Sequence, residues 1–196
     1  MPDGARLPFS GDSKADELLE QEPLALLIGM LLDQQVPMEK AFHSPYELKE
    51  RLGGRLDAAE IASLDPEKLR DVFAARPALH RFPGSMADRV GELCRHLVEH
   101  YGGRAEDVWA RATTGDELFA NLRALPGFGQ QKAQIFTALL AKRLGVSPPG
   151  WEEKAGVYGQ KGWYSVADID GPGAIDRVRE YKRAVKAEAK AKAKQA

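Results

Sequence analysis

Apolar residues recur along the chain at steps of three and four, and few stretches alternate apolar and polar residues as a strand would. Leu24, Leu27, Ile28, Leu31 and Leu32 form one such series; Val90, Leu93, Leu97 and Val98 form another. Each series lays an apolar stripe on one side of a helix, and the stripes must face a shared core. Helix-start signals punctuate the same pattern. "SPYE" at Ser44–Glu47 reads as a capping box with proline in the first helical position, and "DAAE" at Asp57 and "TGDE" at Thr114 repeat that logic. "DPEKLRDVFAA" opens at Asp65 in the same style. The pattern predicts an all-α fold.

Short breaks separate the helices: "GGR" at 53–55, "RFPGS" at 81–85, "YGGR" at 101–104 and "LPGFG" at 125–129. All are ordinary lengths for helix–helix connections. Residues 145–173 differ, because glycine, proline and the aromatics Trp151, Tyr158, Trp163 and Tyr164 gather there without clear periodicity. From Ala174 the chain reads as one long helix, amphipathic at first and basic toward its end. The expected division is an N-terminal arm over 1–21, a helical core over 22–152 with a hairpin at 125–130, and an aromatic, glycine-rich segment and basic helix over 153–196.

At 196 residues and 43% hydrophobic composition, one compact unit with an ordinary core is the default. Cys94 is the only cysteine, which excludes a disulfide within the chain and a thiolate-bound zinc or iron–sulfur site. Among four histidines only His96 and His100 share helical i,i+4 spacing, and no carboxylate motif accompanies them, so no protein-bound transition metal is expected. The N-terminal "MPDGARLPFS" lacks the charged start and apolar run of a signal peptide, and no apolar stretch approaches about 18 residues. The expectation is a soluble cytoplasmic protein, nucleoid-associated in a bacterium, with no membrane partner. Net charge is −1, unevenly spread: from Tyr181 onward Lys182, Arg183, Lys186, Lys190, Lys192 and Lys194 face Glu188 alone, leaving the tail at +5 and the remainder at −6. Such a tail suits a phosphate backbone and equally suits a solvated helix end.

The most informative stretch is "LPGFGQQKAQ" at 125–134. Pro126 cannot continue the preceding helix, while Gly127 and Gly129 can take positive φ and let another backbone approach. The next helix begins near Gln130. Its first amides have no intrahelical partners and carry the positive end of the helix dipole, which suits one phosphate oxygen. Gln130 and Lys132 add a donor and a charge where a purely structural turn more often carries an acid. A tight αα-hairpin turn is the plainer alternative.

"LPGFGQQKA" resembles the "LPGVGxxxA" hairpin of the helix-hairpin-helix (HhH-GPD) DNA glycosylase superfamily, whose members include endonuclease III and the adenine and alkyl-base glycosylases. Upstream, "LLIGMLLDQQVPMEKAF" is similar to the family's "iLsxQt" helix, and "HRFPGSMADRVGELCRHLVEHYGG" to the segment before the hairpin. Residues 22–152 can be laid along the family pattern. The resemblance implies a two-lobed helical fold with a DNA-binding cleft, extrusion of a damaged or mispaired base from double-stranded DNA, and hydrolysis of the base–sugar bond. It implies DNA contacts at Gly127, Phe128, Gly129, Gln130, Gln131 and Lys132, and a wedge at Gln35 with Gln34 beside it. The family's hairpin carbonyls can hold a monovalent cation, here potassium or sodium on Leu125 and Gly127.

Two departures matter. The family aspartate that follows the second hairpin helix has no plain counterpart; counting from Gly145 arrives at Glu152, with three extra residues in the preceding helix. Glu152 equally reads as a first-turn acid meeting a helix dipole. Asp33 and Asp168 are the other candidate catalytic carboxylates. The lysine with which strand-cutting members form a Schiff base is replaced by Gln131, and Lys132 sits one place on, turned about 100° around the helix. The expected activity is therefore that of a monofunctional glycosylase of base excision repair, a monomer without AP-lyase activity, iron–sulfur cluster or other required cofactor. Trp109, Trp151, Tyr158, Trp163 and Tyr164 could stack on a base or pack in the core. The competing expectations are a catalytically silent DNA-binding module of the same fold, favoured by the missing aspartate, and a protein-binding helical scaffold without salt-dependent DNA affinity.

Overall fold

A computed structural model describes residues 6–171 and 173–195. These hold eleven α-helices: α1 (Ser13–Gln21), α2 (Pro23–Leu32), α3 (Met38–Arg51), α4 (Ala58–Ser63), α5 (Pro66–Ala74), α6 (Pro83–Tyr101), α7 (Asp107–Ala110), α8 (Gly115–Ala124), α9 (Gln130–Leu144), α10 (Trp151–Ala155) and α11 (Ala174–Gln195). Two 3₁₀ turns, Gly156–Gly159 and Val166–Asp168, shape the aromatic segment. The fold is all-α, as the periodicity requires. No helix among the described residues is long and apolar enough to cross a membrane.

Nine of the ten residues of α2 are buried, so this helix is apolar on every side and must lie at the centre. It packs against α1, α3 and α6. At Gly29 a Cβ would fall 2.6 Å from the Phe42 ring, so glycine lets α3 close on it. A second group is α6 with α4 and α5 on its flank, and a third is α9 with α8, α10 and the two 3₁₀ turns. One continuous apolar cluster runs through all three, from Leu7 to Val178. The cluster crosses the boundaries expected at 21 and 152. Within the expected arm, Leu7 and Phe9 are fully buried, and Phe9 meets the Phe42 ring edge-on at 5.0 Å. Beyond 152, Val166, Ala167, Ile169 and Val178 belong to the same core.

Three helix starts follow their local signals. Asp57, Asp65 and Thr114 each cap a helix with the side chain accepting amides of the first turn. The fourth does not. Ser44 and Pro45 lie inside α3, and the Ser44 hydroxyl is 2.7 Å from the carbonyl oxygens of both Lys40 and Leu79. Ala41, Phe42 and Leu48 are buried on either side of the proline, and holding that continuous face in the core outweighs the backbone hydrogen bond Pro45 removes. Val98, expected on the buried stripe of α6, is 39% exposed.

The start of α8 is fastened to the segment that follows α9. Gly115 donates its amide to Pro149 O at 2.7 Å, and a Cβ there would fall 2.4 Å from the backbone of Gly150 and Trp151. Gly115→Ala is expected to lower the unfolding free energy by about 1–3 kcal/mol through overpacking. Urea melts would read this, and an unchanged midpoint would mean the two segments are not held in contact.

Candidate functional site

The turn between α8 and α9 uses its two glycines differently. Gly127 has φ 80°, and a Cβ on it would sit 2.3 Å from Leu31 Cδ1. The residue thus takes a left-handed conformation and seats the turn against α2. Gly129 has φ −72°, and the position of its missing Cβ is open space. Between them Phe128 turns inward, buried edge-on against Phe136 at 5.9 Å, so only its backbone remains at the turn. Its amide donates to Leu125 O at 3.0 Å. That leaves one lone pair on the Leu125 carbonyl, and the Gly127 carbonyl accepts no hydrogen bond among the described residues; both fit a monovalent cation ligated by carbonyl oxygens.

The first bond into α9 runs from Ala133 N to Gly129 O. The amides of Gly129, Gln130, Gln131 and Lys132 have no acceptor among the described residues, and Gly129, Gln130 and Gln131 are exposed. No acid stands in the first turn of this fifteen-residue helix. Open amides at the positive end of a helix are an anion site.

The Lys132 side chain turns toward the end of α2 rather than to those amides. Its Nζ donates to Met30 O at 2.6 Å and Leu31 O at 2.7 Å. These are C-terminal carbonyls of α2, which have no intrahelical partners and no solvent, and an ammonium is the donor that also suits the negative end of the dipole. Burial pushes the Lys132 pKa down to about 8, against the opposing pull of Asp33 and with help from Arg89.

Beside this contact lies a cavity of about 450 Å³. Met30, Asp33 and Gln34 come from the end of α2, Gln131, Lys132 and Ile135 from α9, Tyr158 and Tyr164 from the aromatic segment, and Tyr181, Lys182, Val185 and Lys186 from α11. The Gln131 side-chain Nε2 donates to Tyr158 Oη at 2.8 Å, and Tyr164 and Tyr181 meet edge-on at 4.9 Å. Among the described residues Asp33 is the only carboxylate lining this cavity. Its side chain is 15% exposed and stands 3.9 Å from Lys182 Nζ.

The expected wedge pair separates. Gln34 is built into the framework, donating to Leu31 O at 2.9 Å and accepting from Arg89 at 3.1 Å, while its carbonyl accepts from His80 Nε2 at 2.9 Å. Gln35 is exposed, makes no side-chain hydrogen bond among the described residues, and at φ 57° is the only one of them other than glycine with positive φ. Holding a side chain there costs roughly 1–2 kcal/mol, a strain more common at functional positions than elsewhere.

The other two carboxylates lie elsewhere. Glu152 is an exposed first-turn acid of α10 and, with Asp168, lines a second cavity of about 500 Å³. The close approach of Gly150 to Gly115 turns the chain there, so counting from Gly145 leads outside the hairpin cavity. Asp168 is fully engaged: Oδ1 is 2.6 Å from Lys142 Nζ, and Oδ2 accepts the amides of Tyr164 and Ser165 at 2.8 and 3.0 Å. The aromatics sort in the same way. Trp109 is buried against Phe136, Trp151 and Trp163 line the second cavity, and Tyr158 and Tyr164 line the first.

The family model for HhH-GPD superfamily base excision DNA repair proteins matches residues 28–195. The chain belongs to that superfamily. Base excision DNA repair and DNA binding come with membership, and the match extends through the cavity-lining residues of the aromatic segment and α11. No curated protein and no solved structure matches the chain. Reading the sequence placed Lys182 and Lys186 in a basic tail suited to a phosphate backbone but did not place them, or Tyr181, at this cavity. The i,i+4 spacing of Tyr181 with Val185 and of Lys182 with Lys186 could have shown that one face of α11 is shared. The side chains of Lys190, Lys192 and Lys194 lie outside the described residues.

The Lys132 contact has a pH signature. Between about pH 8 and 10.5 the unfolded chain holds a proton at Lys132 that the folded chain has released, so this residue's contribution to stability rises with pH across that window and is flat below it. The urea-midpoint difference between the protein and Lys132→Met is expected to grow in the protein's favour from pH 7 to pH 9. A pH-independent difference would mean that the ammonium is not desolvated.

Proposed function

We propose that the chain is a monofunctional DNA N-glycosylase that binds double-stranded DNA as a monomer, takes a damaged or mispaired base into the cavity beside the hairpin, and hydrolyses its N-glycosidic bond. One observation carries this reading: the first turn of α9 is at once the open amide cluster and, through Gln131, a wall of the cavity that holds Asp33. A phosphate gripped at Gly129–Gln131 would fix the backbone in register with the cavity without reading sequence. Extrusion costs a few kcal/mol of stacking and pairing, less where the base is damaged or mispaired. Gln35 fills the vacated space and the tyrosine faces receive the base.

Asp33 is the carboxylate assigned to the sugar. As the C1′–N bond breaks, its electron pair leaves with the base and positive charge grows at C1′; Asp33 stabilises that charge and accepts a proton from the water that attacks. Lys182 must yield Asp33 to the sugar as DNA enters. A potassium or sodium ion on the carbonyls of Leu125 and Gly127 would add positive charge toward the phosphate. The protein is assigned to the cytoplasm, at the nucleoid in a bacterium.

A second reading, strand cleavage, is favoured by the Lys132 amine, which lines the same cavity with its pKa pushed down to about 8. Attack on C1′ of the opened sugar with loss of water would give an imine, and elimination would release the 3′ phosphate. Its two bonds to α2 oppose this. Borohydride should trap no protein–DNA adduct, and strand breaks should appear only after alkali.

Gly129→Glu is expected to weaken duplex binding by tenfold or more, about 1.4 kcal/mol, with the urea midpoint unchanged; equal affinity would remove the hairpin from the contact. Asp33→Asn should slow base release by about a hundredfold or more while duplex affinity is kept. Undiminished release would take the carboxylate role from Asp33, and no release by the unaltered protein from any lesion duplex would favour the silent DNA-binding module.

A further inference from the structure

The cavity beside the hairpin has a charge that its aromatic walls do not reveal. Three ammoniums line it, Lys132, Lys182 and Lys186, against the single carboxylate of Asp33, a surplus of two positive charges. The C-terminal end of α2 offsets about half a charge of this. Arg89, which bonds Gln34, stands behind the wall and does not line the cavity. Glu188 acts on Tyr181 from further along α11 and does not line the cavity.

We infer that this cavity admits uncharged damaged bases, which depart with the electron pair as anions, and disfavours alkylated purines that carry a positive charge. The inference rests on the glycosylase reading above and names its substrate class. Tyrosine faces alone would attract a cationic base, but that attraction is short-ranged, whereas a net positive surplus in a partly desolvated space repels a cation over the whole cavity. The chemistry points the same way. A cationic purine leaves neutral and needs no help from positive charge. An uncharged base leaves with negative charge developing on its ring, and fixed ammoniums stabilise that charge more in the transition state than in the ground state. Lys132, held by two carbonyls of α2, is the one of the three whose position is fixed before any ligand enters. Lys182 and Lys186 stand one helical turn apart on α11 and complete the field.

The test uses the full chain and four duplexes that differ at one nucleotide: uracil and hypoxanthine as uncharged bases, N7-methylguanine and N3-methyladenine as cationic ones. Each is prepared as the natural nucleotide and with a 2′-fluoro sugar that resists hydrolysis. On the resistant set, the uncharged bases should bind about tenfold more tightly than the cationic ones. On the natural set, release relative to the spontaneous rate should favour the uncharged bases. Lys182→Glu with Lys186→Glu should narrow or invert both preferences; because that change weakens all DNA binding, the ratio between lesions is the readout, not the affinity. Equal or tighter binding of cationic bases overturns the inference, as does a preference left undiminished by the double reversal. Preference in binding without release of any base removes the hydrolysis and leaves the charge selection standing; release without preference does the opposite.

Discussion

The arrangement depends on how the last carbonyls of a fully buried helix find donors. The apolar helix α2 cannot reach water along its length, and its C-terminal end still presents oxygens without intrahelical partners. Leaving one such carbonyl unsatisfied would cost about 1–3 kcal/mol. Lys132 and Gln34 supply the donors. The cost of placing an ammonium there appears in the lowered pKa of Lys132; the return is positional, because the first turn of α9 is fixed to the last turn of α2. That one contact sets the hairpin amides outward and Asp33 beside them.

The same constraint explains why the turn contains two glycines with unlike roles. Gly127 is a packing residue, since any side chain there would meet Leu31 and would have to accept left-handed backbone. Gly129 is a residue of access: its backbone is unstrained and its surroundings are empty. A hairpin that only closed two helices would need the first glycine and not the second. The open position at Gly129 is therefore the better mark of a surface meant to meet another molecule.

Local signals made most of the helix starts legible: Asp57, Asp65 and Thr114 cap where they stand, Pro126 stops α8, and α9 opens at Gln130. They failed where a distant partner decided the outcome. Ser44 and Pro45 carry a sound start signal, yet burial on both sides of them keeps α3 continuous. Lys132 looked like a surface cation because a charge near a helix start usually is one, and its true partners are about a hundred positions away in the chain. The candidate carboxylate followed the same rule. Counting along the sequence arrives at Glu152, which lines the second cavity, whereas Asp33 lines the one beside the hairpin, because the fold brings the end of α2 to the hairpin and carries the segment after α9 elsewhere.

The remaining wall of the cavity is the least tightly fastened. Helix α11 is tied down by Val178 in the core, by Tyr181 on Tyr164 and by Arg177 over Trp163. Its links to the site itself are the ion pairs of Arg179 with Glu39 and of Lys182 with Asp33. In both pairs the cation is about half exposed, and a phosphate backbone competes well for such cations. A duplex arriving at the hairpin can therefore draw Lys182 away from Asp33 at little cost. On the proposed reading the basic helix would have two partners in turn, the Asp33 carboxylate before DNA binds and the phosphates afterwards.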